Sequence, residues 1–141
     1  MKITKEITFD SAHMLSNYDG KCSNLHGHTY KLQVTLEGEV LENYMVMDFN
    51  FLKGIIKEVI MDNFDHAVVF SQEEIRGEAE DHLLTWCREF GKKFTIIPGK
   101  TTCEDMAPYI KKLIEEKLYE KNIHVLVWIR LWETPTSFAE C

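Results

Sequence analysis

Apolar side chains alternate with polar ones near both ends of this chain and recur at helical spacing in its middle. In residues 2–13, Ile3, Ile7, Phe9 and His13 share one parity, while Thr4, Glu6, Thr8 and Asp10 share the other. Period two marks a strand with one buried face. Residues 14–25, rich in Ser, Asn, Asp and Gly, read as loop. Alternation resumes over 26–37, with His26, His28, Tyr30, Leu32, Val34 and Leu36 on one face and Gly38 as the stop. Asp48 or Asn50 caps a helix predicted over about 50–61, where Leu52, Ile55, Ile56, Val59 and Ile60 repeat at helical spacing. Ala67–Phe70 predicts a short strand, 72–90 an acidic amphipathic helix ending at Gly91, and Phe94–Ile97 another short strand before Pro98-Gly99. A third helix spans 103–120. Ile123, Val125, Val127, Ile129 and Leu131 then alternate as a strand, broken at Thr134-Pro135 and followed by a short tail strand. Adjacent strand pairs separated by helices predict an α+β fold with an antiparallel sheet, not a doubly wound parallel one.

Length and charge narrow the function. The 141 residues contain no repeat and no Pro/Gly-rich linker, so one domain is expected over 1–141. A net charge of −7, with no basic run, argues against nucleic-acid and anionic-membrane partners. No apolar run approaches the ~20 residues of a membrane helix. Met1-Lys2-Ile3-Thr4-Lys5-Glu6 carries charges where a signal peptide needs an apolar core, so a cytoplasmic location is expected. The Cys residues at 22, 87, 103 and 141 show no pairing pattern and are expected reduced.

Three predicted strands carry their apolar parity into a functional side chain. The first ends at His13, the second begins with His26 and His28, and the last reaches Glu133. If the first two strands pair, three imidazoles converge at the rim of one face, as in a three-nitrogen zinc site with an open fourth position. The bland alternative is a polar strand end. A cupin reading fails, because Leu32 and Gln33 stand where that motif needs Glu. Cys22, four residues before His26, is a candidate base or nucleophile, or a packing Cys. Asp65-His66 is a candidate proton shuttle, or a turn with a capping Asp. Thr101 to Glu104 has capping-box spacing, while the same helix start can bind a polar ligand. Glu133 sits on an apolar parity and therefore needs a partner; its carboxylate suits an N–H-rich heterocycle.

These motifs occur in a familiar order. Phe9-Asp10-Ser11-Ala12-His13, Cys22-Ser23-Asn24-Leu25-His26-Gly27-His28-Thr29-Tyr30, Met47-Asp48-Phe49, Asp65-His66, Thr102-Cys103-Glu104 and Glu133-Thr134-Pro135-Thr136-Ser137 follow one another along nearly the whole chain. The set resembles the 6-pyruvoyl-tetrahydropterin synthase family. The short gap between Cys22 and His26, with the Glu-Thr-Pro-Thr-Ser tail, looks like its queuosine-biosynthesis branch, which makes 6-carboxy-5,6,7,8-tetrahydropterin. The resemblance implies a T-fold: a four-stranded antiparallel sheet with helices on one face, closed into a barrel by trimers that stack as a homohexamer. It implies Zn²⁺ on His13, His26 and His28, and Cys22 as general base coupled to Asp65 and His66. It implies Thr102, Glu104 and Glu133 as pterin anchors. The implied activity is a zinc-dependent lyase acting on 7,8-dihydroneopterin triphosphate and releasing acetaldehyde and triphosphate. The alternatives are elimination that stops at 6-pyruvoyl-tetrahydropterin, or a non-catalytic pterin- or metal-binding module. Two departures stand out: Phe70-Ser71 where many members have Leu-Asn, and an inserted helical segment near 71–98. Lys21, Lys31 and Lys100 are triphosphate candidates by proximity alone.

Overall fold

Two strands of 12 residues lie side by side at the centre, β1 (Lys2–His13) and β2 (His26–Glu37). They pair antiparallel without a break, from Lys2 opposite Glu37 to His13 opposite His26. The computed structural model describes residues 1–75 and 78–141. Beyond β2 come α1 (Phe49–Asn63), β3 (Ala67–Ser71), α2 (Glu78–Glu89), β4 (Phe94–Ile97), α3 (Cys103–Glu120), β5 (Leu126–Thr134) and β6 (Ser137–Glu140). The strands form one sheet in the order β4-β3-β1-β2-β5-β6.

Four of these strands, β1, β2, β5 and β6, pair antiparallel in succession, as expected. The other two lengthen the sheet to six strands and make it mixed, because β3 pairs parallel to β1 and β4 parallel to β3. A helix between strands returns the chain to its starting end, which permits parallel neighbours that a tight turn cannot join. The α2 helix does this between β3 and β4.

The inner face packs as its periodicity requires. Phe9, Tyr30, Leu32, Val34, Leu36, Ile129 and Leu131 are buried against Leu52, Ile56 and Ile60 of α1 and Met106, Ile110 and Ile114 of α3. Asp48 starts α1 by accepting from the Asn50 and Phe51 amides at 2.8 and 2.9 Å, a cap of the type that stabilises a helix by about 1 kcal/mol.

The α2 helix departs from the single-layer expectation. Leu84 and Cys87 cluster with Phe70, Val68, Phe94 and Ile96, the outer parity of β3 and β4, whereas Val69 and Ile97 belong to the inner core. This corner of the sheet is covered on both faces, so its strand reads as an unbroken apolar run rather than an alternation. The helix is also shorter than its pattern predicts: residues 72–75 form a turn, and residues 76–77 of the predicted helix lie outside the described residues.

Gly27 permits the β1–β2 contact at its functional end. A Cβ there would meet the Ser11 carbonyl oxygen at 2.9 Å, and backbone cannot move aside as a side-chain tip can. Gly27→Ala is therefore expected to destabilise the fold by about 1–3 kcal/mol and to separate His26 and His28 from His13. Thermal unfolding with a parallel metal titration checks both effects; an unchanged Tm would show that the strands have room to spare.

Candidate active site

Register does most of the assembly. His13 lies opposite His26, and Ser11 opposite His28, so all three imidazoles share the inner face at one end of the sheet. Their ring centroids are 4.5, 5.0 and 5.2 Å apart. One ligand atom from each lies within 4.8 Å of the other two, which makes this a group able to hold a metal ion.

The tautomers follow from the partners. His13 Nδ1 is 2.7 Å from the Thr101 carbonyl oxygen, and His26 Nδ1 is 2.7 Å from that of Asn24. A carbonyl only accepts, so each Nδ1 carries the proton and donates it. That leaves Nε2 as the lone-pair nitrogen. Among the described residues, Nε2 of His13 and Nε2 of His28 are both buried without a hydrogen-bond partner. Unpartnered buried nitrogens beside carbonyl-anchored rings are the donor set that a metal completes. Burial holds the His13 pKa below its usual value, aided by the charges of His26 and His28 and opposed by the Thr101 hydrogen bond and Glu133. The neutral, ligating form is thereby favoured.

Glu133 faces this group. Its Oε1 lies 3.7 Å from His13 Nε2 and 3.8 Å from His28 Nε2, and the side chain is half-buried. Tyr30, fully buried beside the imidazoles, has a hydroxyl with no partner among the described residues. Burial and the Glu133 charge push its pKa up, so the phenol stays protonated. The Cys103 thiol donates to the Leu131 carbonyl at 3.0 Å, and burial raises its pKa to about 11.

Thr101 overturns the capping-box reading. The helix cap is Thr102, whose side chain makes no capping bond. Thr101 is buried, donates from Oγ1 to the Met14 carbonyl at 2.9 Å, and offers its own carbonyl to His13. Glu104 is exposed and follows Thr102 at the start of α3. Sequence spacing mistook a support of the imidazole for a helix signal.

Asp65 and His66 lie elsewhere. They form a turn ahead of β3, with Asp65 Oδ2 2.9 Å from His66 Nδ1 and Asp65 Oδ1 accepting from the Asp10 amide at 3.1 Å. Burial works to raise the Asp65 pKa, but the Asp10 amide, His66 and Lys93 outweigh it and hold the carboxyl below its usual value. The His66 amide bonds the Asp10 carbonyl at 2.7 Å, and Ala67 is in register with Ser11, so His66 takes the outer parity of Asp10. There it lines a cleft of about 460 Å³ with Asp10, Ala12, Gly27 and Thr29. Asp10, which also accepts from the Thr29 hydroxyl, was missed in the sequence; its outer, polar parity carries no signal.

Cys22 lies in a short 3₁₀ turn, Lys21–Ser23, tied to the first strand's exit by the Leu15 amide at 2.9 Å. Among the described residues no hydrogen bond or ion pair joins it to Asp65 or His66. Of the triphosphate candidates, Lys31 stacks over Trp132 on the outer face and Lys100 lies 4.0 Å from Glu74.

A T-fold sheet carrying a three-imidazole centre defines a class of metal-site α+β proteins. Within it, a family model described as 6-pyruvoyl tetrahydropterin synthase matches residues 2–141, and the chain belongs to that family of pterin-synthesising enzymes. It is 43% identical to the 6-carboxy-5,6,7,8-tetrahydropterin synthase of Haemophilus influenzae, over 99% of this chain and 96% of that one. It is 33% identical to the protein of the same name from Rickettsia bellii, over 99% of each chain. Solved structures share the fold: 6-pyruvoyl tetrahydropterin synthase of Plasmodium falciparum superimposes with TM-score 0.74 at 23% identity, covering 100% of this chain and 96% of that one. An uncharacterised Wolinella succinogenes protein reaches TM-score 0.75 at 22% identity, covering 100% and 97%.

The second contact sphere should be measurable. Thr101→Val removes the bond to Met14 and loosens the carbonyl that holds His13, so metal affinity is expected to fall roughly ten-fold with the fold retained. Competitive metal titration with circular dichroism tests this; undiminished affinity would reduce Thr101 to packing.

Proposed function

We propose that this chain converts 7,8-dihydroneopterin triphosphate to 6-carboxy-5,6,7,8-tetrahydropterin, releasing acetaldehyde and triphosphate, as a step of queuosine biosynthesis in the cytoplasm. The observation that carries the chemistry is the pair of unpartnered buried Nε2 atoms, with the Nδ1 atoms of His13 and His26 committed to carbonyls. The name shared by relatives that match nearly end to end supports the choice of product. No described helix is long and apolar enough to cross a membrane.

His13, His26 and His28 hold Zn²⁺ in this reading; when bound, it supplies Lewis acidity to the oxygens of the substrate side chain. Cys22 takes a proton from that side chain. His66 moves a second proton, with Asp65 fixing Nδ1–H so that Nε2 exchanges it. Triphosphate leaves by elimination, and water adds as the two terminal carbons depart as acetaldehyde, so the remaining carbon becomes the carboxylate. Positioned acid–base groups of this kind typically contribute 10²–10⁴-fold. Glu133 accepts from the pterin ring N–H and exocyclic amine, with Thr102 and Glu104 adding contacts from the start of α3. We take residues 1–141 as one domain.

The three imidazoles take the inner parity of the sheet and His66 the outer; in this reading a second copy brings His66 to Cys22. The sheet is open along β4 and β6, and unpaired edges favour closure through neighbouring copies. A homohexamer of two stacked trimers, each closing a barrel, provides that arrangement.

Incubation with 7,8-dihydroneopterin triphosphate and mass identification of products is the direct test. 6-Carboxy-tetrahydropterin with acetaldehyde is expected; 6-pyruvoyl-tetrahydropterin without acetaldehyde would move the chain to the other branch, and no turnover by metal-loaded protein would end the enzymatic reading. Sharing between subunits has its own check. Cys22→Ala and His66→Ala are each expected to be nearly inactive, yet dissociation, mixing and reassembly should restore roughly a quarter of the sites by random pairing around the ring. Failure of reassembled mixtures to recover activity would place both groups in one chain.

A further inference from the structure

The segment between β3 and α3 does more than cover the sheet. Lys93, just before β4, reaches the turn that carries Asp65 and His66. Its ammonium donates to the Asp65 carbonyl at 2.7 Å and to the Met61 carbonyl. The Met61 carbonyl is available because the Asp65 amide, its usual helical partner, bonds Ile60 instead at 2.9 Å. Two residues on, the Thr95 hydroxyl donates to the Asn63 carbonyl. So Lys93 and the β4 residue Thr95 together cap the carbonyl end of α1, where partial negative charge suits a cation.

That turn needs holding. His66 has φ of 57°, a left-handed conformation that a residue with a Cβ adopts only at a cost and only where neighbours impose it. On one side the Asp10 strand grips it, through the His66 amide and the Asp65 carboxylate. On the other side Lys93 grips the Asp65 carbonyl, and the Val68 amide bonds the Lys93 carbonyl at 3.1 Å. The charged groups facing the pair are therefore Asp10 and Lys93.

We propose that Lys93 is a positioning residue: its ammonium locks the turn that orients His66 for proton transfer, which gives the 71–98 segment a role in the reaction. The proposal rests on the reading of His66 as a proton-moving group. Lys93 touches no substrate; it acts by keeping the imidazole in place, and a misplacement on the order of 1 Å can cost about 100-fold in rate.

The test is a double-mutant cycle in single-turnover assays with Lys93→Met, His66→Ala and the pair. Lys93→Met keeps the stem and removes the donors. It is expected to lower kcat about ten-fold or more, with KM, metal content and affinity for a non-reactive pterin held within about two-fold. Lys93→Arg should recover part of the loss. In the His66→Ala background Lys93→Met should cost nothing further, because its only route to the chemistry is gone. An equal loss in both backgrounds would overturn the proposal, as would a folded Lys93→Met protein with wild-type kcat. Should Lys93→Met fail to fold, Thr95→Val probes the same cap: a kcat loss that vanishes with His66→Ala supports the proposal, and an equal loss or none overturns it. Wild-type turnover by His66→Ala would instead sink the reading of His66 itself.

Discussion

The uninterrupted antiparallel register between β1 and β2 is the constraint on which the rest depends. Side chains alternate with a period of two, so a slip of one residue would send His13 to the outer face and leave His26 and His28 on the inner one. Inner-face apolar residues disfavour such a slip, since it would separate pairs such as Phe9 opposite Tyr30 and Ile7 opposite Leu32 onto different faces. The same hydrophobic pattern that closes the core therefore places three imidazoles within ligating distance. Gly27 allows it, by leaving the Ser11 carbonyl room.

A second layer converts proximity into a defined donor set. Backbone carbonyls of Thr101 and Asn24 choose the tautomers, and Thr101 in turn is anchored to Met14, so the loop leaving β1 and the start of α3 are joined through the site. Cys103, beside them, has its thiol spent on the Leu131 carbonyl, which ties α3 to β5 just before Glu133. Stability and chemistry are coupled here: the elements that meet around the imidazoles are also those that enclose the core.

The outer face follows a different logic. Across β1 and β2 it is polar, with Thr4 paired to Thr35 and Gln33 to Glu6, and on β5 it carries Trp128, Arg130 and Trp132. At the β3–β4 corner it is apolar and covered by α2. Asp65 and His66 sit where these regimes meet, on a turn gripped by Asp10 of β1 and by Lys93 just before β4. One sheet thus carries the three-imidazole group on one face and the Asp65–His66 pair on the other.

Periodicity along the chain was enough to place β1, β2 and α3 at their observed bounds, and to put His13, His26, His28 and Glu133 on one face. The reason is local: parity and helical spacing are properties of consecutive residues, and burial of one face enforces them. The resemblance of ordered motifs added the family. Tertiary structure alone decided the parallel placement of β3 and β4, the position of α2 on the outer face, and the separation of Asp65–His66 from the imidazoles. It also decided that Thr101 supports His13 instead of capping a helix, and that Lys93 reaches Asp65. Each of these depends on a contact between residues far apart in sequence, such as Thr101 with His13 or Lys93 with Asp65. A side chain's local pattern says which way it faces; only the fold says what it meets there.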